Sequence, residues 1–300
     1  MDLGDIRSIL YTYPNVRRLL TPAILFRQYL RKRHERHMQP AYDNLCDIVA
    51  DDPVINLPEF HGKFFVDCRS DLFRRVIFYK TYESELSKIV LKYLDRSRDV
   101  IDVGANAGFF SVLFAKEIVG KRVLAIEPTK SALMRLHKNI EINCLQKSIT
   151  VFEGVASNSD VPIQMKVIEG KCEYSTIGEM MHPSISGEKY GLEEVSSSTL
   201  DDLIERYSID PGFIKIDVEG SEHLVFDGAR RMLEKCRPII ISELSDPLLR
   251  ANGSSSKEVI DIISRYDYKI VDALVPNLAG GVRKYGDILC IPKEVDALTR

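Results

Sequence analysis

The chain is short of the features that most readily assign a protein to a compartment or a chemistry. Its six cysteines, Cys46, Cys68, Cys144, Cys172, Cys236 and Cys290, never stand at C-x-x-C spacing, and several lie inside apolar runs. That reads as reduced core thiols, with no disulfide frame or metal knuckle. No apolar window approaches the roughly 20 residues a membrane span requires. Two acids stand among the first five residues with no signal-peptide hydrophobic stretch, so a cytoplasmic protein is expected. Neither sign of charge dominates: 41 Lys and Arg against 44 Asp and Glu leave a net −3. Such a balance gives no general reason to expect a nucleic-acid partner. Internal repeats and low-complexity tracts are absent as well.

What is present is an ordinary globular composition, 45% hydrophobic and 28% charged over 300 residues. That length allows one large α/β domain with an appendage. The chain is organised around VIDVGANAGFF, residues 100–110. Val100, Ile101 and Val103 read as a buried parallel strand, and Gly104, Asn106 and Gly108 as a turn of small residues. A helical pattern then begins at Phe109. In this strand–turn–helix order, small residues let a ligand touch backbone, and free amides are expected to face it. A second apolar run, RVLAIE, ends in Glu127 after a crossover of βαβ length, where a carboxylate can take both hydroxyls of a ribose.

The turn reads D-x-G-x-N-x-G, from Asp102 to Gly108, with no third glycine at the dinucleotide position. A pyrophosphate cradle is poorly supported, and the missing G-K-[ST] excludes a P-loop. The ligand that suits this turn, the strand-end acid and Glu127 is S-adenosylmethionine, whose amino-acid part is cationic and whose sulfonium carries no phosphate.

Residues 1–60 read as an irregular, partly helical extension to a domain spanning 61–300, with one or two short helices over 16–29 around Pro22. The basic run Arg31–His37 is read as a solvated helix end; weak peripheral contact with an anionic membrane, or with an acidic carrier protein, is the alternative. Residues 62–79 suggest a strand or hairpin and a helix turn, and 81–94 a helix whose start, with Glu83, sits near the carboxyl ends of the strands. From Val100 strands and helices alternate. VPIQMKVI, 161–168, reads as an edge strand, and the polar stretch 169–197, with Met180, Met181 and His182, as a lid or substrate loop. Thr199 to Asp202 reads as a capping box. FIKIDVEG and RPIIISEL are buried strands ending in acid. The order is that of a doubly wound, mostly parallel α/β sheet.

In open α/β sheets ligands bind outside the carboxyl strand ends. This chain places acids at four such ends: Asp102, Glu127, the pair Asp217/Glu219, and Glu243. Asp217 and Glu219 fall on one side if the extended conformation continues. One could accept a hydroxyl proton, and the other could hold substrate or a divalent ion, although no metal site is predicted.

These stretches resemble the FkbM-type family of S-adenosylmethionine-dependent methyltransferases. VIDVGANAGFFS, the acid–proline pair Glu127-Pro128 within AIEPTKSALMRLHKNIEIN, SSSTLDDLI, and FIKIDVEGSEHLVFDGA with RPIIISEL carry the likeness over residues 80–292. The resemblance implies a seven-stranded Rossmann-like sheet whose last strand is antiparallel, and methyl transfer to a hydroxyl of a sugar, glycan or polyketide-type metabolite. Carried over, Asp102, Gly104, Asn106, Gly108, Phe109, Glu127, Pro128 and Ala156 contact the cofactor. Asp217 and Glu219 are then catalytic, and Glu83 and Glu243 face the substrate. Three other readings stand beside it. A nucleic-acid methyltransferase of the same fold is disfavoured because no N/D-P-P-Y/F tetrapeptide follows the fourth strand. The glycine spacing disfavours an NAD(P)-dependent oxidoreductase, and the intact acids speak against a non-catalytic cofactor-binding scaffold. The oligomeric state is not legible.

Overall fold

The fold was obtained as a computed structural model that describes residues 14–49, 53–168, 190–276, 282–283 and 285–298. The first element, α1 (Pro14–Ile48), is a single helix of 35 residues, where short helices and an irregular lead-in were expected. The helix runs through Pro22 and Pro40: proline's fixed φ is itself helical, and Pro40 stands on the exposed side. A hairpin follows, β1 (Val54–Leu57) and β2 (Gly62–Phe65), then α2 (Asp71–Tyr79) and α3 (Ser84–Tyr93). The hairpin straddles residue 60 and packs into the main core. The Phe60 and Phe64 rings lie 5.5 and 4.5 Å from that of Phe109. Ser70 caps α2 by accepting from the Phe73 amide, which makes it a full nine-residue helix rather than a turn.

The regular alternation then runs β3 (Asp99–Val103), α4 (Phe109–Glu117), β4 (Val123–Glu127), α5 (Lys130–Ile142) and β5 (Ile149–Glu153). Short pieces follow: β6 (Val155–Ala156), β7 (Ile163–Val167), β8 (Gly191–Val195), β9 (Ser197–Ser198) and α6 (Leu200–Tyr207). The closing part holds β10 (Pro211–Ile216), α7 (Glu222–Asp227), β11 (Ile239–Ser245), α8 (Asp246–Ala251), α9 (Ser256–Ser264), β12 (Tyr268–Asp272), β13 (Tyr285–Pro292) and α10 (Lys293–Leu298). The main sheet has seven strands in the order β12-β13-β11-β10-β3-β4-β5, and β13 alone runs antiparallel to both its neighbours. Every residue of β3, β4 and β10 is buried, as apolar strands covered by helices on both faces must be. The fold class is therefore the expected doubly wound, mostly parallel one.

Three details depart from expectation. Residues 163–167 are no edge of the main sheet: β7 pairs antiparallel with β8 in a separate ribbon, whose Met165 and Val195 bury against Val155. Residues 191–195 and 197 of the expected loop are therefore strand, and 169–189 lie outside the described residues. The helix expected over 221–236 stops at Gly228, where a side chain would strike the Ser157 carbonyl, and resumes as a π turn over Met232–Cys236. The Thr199 cap forms as read, its hydroxyl oxygen accepting from the Asp202 amide at 3.1 Å.

The turn after β3 is fixed by packing. Gly104 has φ +76°, and a Cβ there would collide with the Asp217 carbonyl oxygen at the end of β10. Gly108, at φ +84°, leads into α4 under Leu136. Gly104→Ala should thus cost about 2–4 kcal/mol of stability, since it joins a left-handed backbone penalty to a backbone clash. Urea unfolding measures this, and wild-type stability in the variant would show that the two strand ends are not locked together.

Candidate active site

The carboxyl ends of β3, β4, β10 and β11 open onto a cleft of about 560 Å³, within the range of small-molecule sites. It gathers Glu83, Asp102, Gly104, Asn106, Phe109 and Glu127, together with Pro128, Ala156, Asp217, Glu219 and Glu243. Gly108 stands off the lining, at the N-terminus of α4.

Four amides of the turn are already engaged. The Gly104 and Ala105 amides both donate to the Ile126 carbonyl at 3.0 Å, the Gly108 amide donates to Ala105, and the Asn106 amide donates to Glu127 Oε2 at 2.9 Å. Buried amides need partners, and β4 and Glu127 supply three of these.

Glu127 is buried and engaged within the protein. Its Oε1 accepts from the Thr129 amide at 2.9 Å and the Thr129 hydroxyl at 2.6 Å, while Oε2 accepts from Asn106. One lone pair of Oε2 is left for a ligand hydroxyl. Burial raises this carboxyl, and the bonds from Thr129 and Asn106 work against that. Asp102 accepts from the Ser111 hydroxyl at 2.6 Å through Oδ2, while its buried Oδ1 has no hydrogen-bond partner among the described residues. Burial raises its carboxyl too, against the pull of Lys215.

At the other end of the cleft, one carboxylate oxygen from each of Asp217, Glu219 and Glu243 can be chosen so that all lie within 4.8 Å of one another. They converge although the extended conformation does not continue past β10, because Glu219 turns left-handed at φ +51°. Sequence reasoning missed Lys215, which is only 4% exposed. Its ammonium donates to Asp217 Oδ2 at 2.9 Å and lies 5.0 Å from the centre of the Phe110 ring. The signal was there to be read: a lysine inside an otherwise apolar strand, FIKI, two residues before an acid. Burial works against its charge, yet Asp217, Asp102 and Glu83 together hold Lys215 above the usual lysine range. Burial likewise raises Asp217, but Lys215 outweighs it and keeps the carboxylate below its usual range. Glu243 takes the opposite course: burial first, then the Asp217 charge, pushes it well up, so it holds a proton toward Asp217.

Glu83 is placed by its loop. The Glu59 carboxylate accepts from Thr81 Oγ1 at 3.2 Å and the Tyr82 amide at 3.0 Å, and Glu83 itself is left-handed at φ +43°. Burial and then Asp217 push its carboxyl up to about 7. Asp287, also missed, pairs in register with Glu243 and is raised to about 6 by burial and Asp217. Seven acids against three bases line the cleft, and two of those bases are already paired, Arg135 with Asp67 and Lys215 with Asp217.

S-adenosylmethionine fits these residues: an unpartnered Asp102 oxygen behind the cleft wall and a ribose acceptor on Glu127. Sheet order, the antiparallel seventh strand and the cleft at the strand ends define a class I methyltransferase fold. The Methyltransferase FkbM domain matches residues 102–270, more than half of the chain. The chain belongs to the FkbM methyltransferase family.

Among solved structures, methyltransferase FkbM from Methylobacillus flagellatus KT is similar at 19% identity, with TM-score 0.43 over 85% of this chain and 58% of that one. This chain thus spans less than two thirds of that protein. M. jannaschii TYW2 in complex with AdoMet is similar at 13% identity, TM-score 0.40, over 81% of this chain and 85% of that one. The O-methyltransferase from Bacillus cereus in complex with SAH is similar at 14% identity, TM-score 0.34, over 69% and 78%. No curated protein matches the chain significantly.

The raised acids give stability a definite pH dependence. Folded Glu83 and Glu222 lie at about 7 and Asp287 at about 6, against ordinary values of 4.5 and 3.8. The folded chain therefore keeps protons that the unfolded chain has released, and stability falls as pH rises through that window. Asp217 acts in the opposite sense, but its contribution is lost only as pH falls below about 4. The melting temperature should be higher at pH 5.5 than at pH 8; a flat or rising profile would show these acids to be solvated.

Proposed function

We propose that the chain transfers the methyl group of S-adenosylmethionine to a hydroxyl of a sugar, glycan or polyketide-type metabolite. The observation that carries this reading is one cleft at the strand ends that gathers Glu127, Asp102 and the Lys215–Asp217–Glu243 group, with a lone pair of Glu127 left for a ligand hydroxyl. When bound, S-adenosylmethionine would supply a sulfonium methyl carbon open to attack by an acceptor oxygen, with S-adenosylhomocysteine as the leaving group. Glu127, Thr129 and Asn106 hold the ribose side, and Asp102 offers negative charge to the amino-acid side.

Asp217 and Glu219 face the acceptor. Because Lys215 keeps Asp217 ionised and weakly basic, its part is to orient the acceptor hydroxyl by accepting its hydrogen bond. The proton itself goes to Glu83, whose pKa of about 7 is matched to the task. As the new carbon–oxygen bond forms and the carbon–sulfur bond breaks, the hydroxyl proton passes to the Glu83 carboxylate, and charge balances. This assignment needs no metal, although the three carboxylates could hold one.

The test is incubation with methyl-labelled S-adenosylmethionine and a panel of hydroxylated sugars and polyketide alcohols. Label should appear in an ether, with kcat rising through about pH 7 as Glu83 ionises. Glu83→Gln should lower kcat about 10²–10⁴-fold and remove that limb while leaving S-adenosylhomocysteine affinity in place. Asp217→Asn should lower kcat similarly and move the limb to lower pH, because the Asp217 charge helps to hold the Glu83 carboxyl up. Label on nitrogen or in nucleic acid, or a full-rate Glu83→Gln enzyme, would contradict the reading.

A further inference from the structure

The amino-terminal helix carries a surface that the cleft chemistry does not use. At 1.5 Å per residue its 35 residues extend about 50 Å. Its carboxyl half is seated on the domain: Tyr42 is buried, stacks on Phe73 and Phe78 and donates to the Cys68 carbonyl, while Met38, Leu45 and Cys46 pack on the same core. His34 meets the Phe78 ring edge-on, and Arg31 donates to the Tyr79 hydroxyl at 2.9 Å and to Glu35. These residues share one face of the helix.

At about 100° per residue, Phe26, Tyr29, Leu30, Arg33, Arg36 and His37 fall within an arc of about 120° on the opposite face. Phe26 is 61% exposed, Tyr29 54% and Leu30 44%, and Arg33, Arg36 and His37 are exposed too, as is the flanking Lys32. Among the described residues, Lys32, Arg33 and Arg36 make no ion pair, whereas Arg31 is paired with Glu35. A chain of net charge −3 thus presents three exposed apolar side chains leading into a cluster of cations on one helix face.

We propose that this face docks on an anionic membrane surface. Phe26, Tyr29 and Leu30 enter the boundary between headgroups and acyl chains, and Lys32, Arg33 and Arg36 face lipid phosphates. Charge complementarity and the apolar triplet choose the partner together. A nucleic acid would satisfy the cations and leave Phe26 and Leu30 in water, and a neutral apolar groove would bury the triplet and leave the cations unmatched. The inference is independent of the methyl acceptor, because nothing in the cleft takes part.

The test is co-sedimentation of the full chain with vesicles of phosphatidylcholine alone, and of phosphatidylcholine with about a third phosphatidylserine. The chain should sediment with the anionic vesicles only and be released by raised salt. A basic residue near such a surface tightens binding about fivefold, so Lys32→Gln/Arg33→Gln/Arg36→Gln should weaken partition about a hundredfold. Phe26→Ser/Leu30→Ser should weaken it at least about tenfold, with circular dichroism confirming that the helix persists. Equal partition to both vesicle types, or wild-type partition by either variant, would overturn the proposal. So would binding to a single-stranded RNA oligonucleotide that the same substitutions abolish and anionic vesicles fail to displace.

Discussion

The site depends on one buried cation. Lys215 stands at the end of the central strand β10 with its ammonium 2.9 Å from Asp217, almost wholly removed from water. An isolated ammonium there would be untenable, and so would the group of acids without it. The pair sorts the surrounding carboxyls: Lys215 keeps Asp217 ionised against the cost of burial, while burial first and the Asp217 charge second raise Glu83, Glu243 and Asp287. Removing one member of such a pair costs about 3–5 kcal/mol and leaves the other charge stranded. The lysine also lies over Phe110, which meets Phe60 edge-on at 5.1 Å, so the amino-terminal hairpin and the acidic end of β10 share one packed wall.

A second constraint shapes the cofactor end. The loop after β3 has to pass beneath the end of β10 with no room for a side chain at residue 104. Once that close approach is made, the loop amides turn inward to Ile126 and Glu127. The Asn106 amide is thereby held by Glu127, which keeps one lone pair for a ligand hydroxyl. Packing and ligand preference here have the same origin.

Much of this was legible in the chain. Unbroken apolar runs ending in acid located β3, β4, β10 and β11 and placed Asp102, Glu127, Asp217 and Glu243 on one rim. The motif identified the family that the domain match confirms. Other features were not, each for a physical reason. Prolines at 22 and 40 conceal a continuous helix, because proline keeps a helical φ and the cost of its missing donor is absorbed. The β7–β8 ribbon joins segments too far apart for any local pattern to relate them. Lys215 was passed over because alternation and burial identify strands, whereas its significance lies also in Asp102 and Glu83, contributed by other elements. The convergence of Glu219 on Asp217 was expected from strand alternation and arises instead from a left-handed turn.

The account's central claim is that the cleft accepts a cationic nucleoside without phosphates. Isothermal titration of the purified chain with S-adenosylmethionine, S-adenosylhomocysteine and NAD tests it directly. The first two should bind with one-site stoichiometry, and Glu127→Ala should weaken them tenfold or more, since hydrogen bonds to a charged group are worth about 1.5–3 kcal/mol. NAD should give no saturable heat. Saturable binding of NAD with no response to S-adenosylhomocysteine would contradict the account.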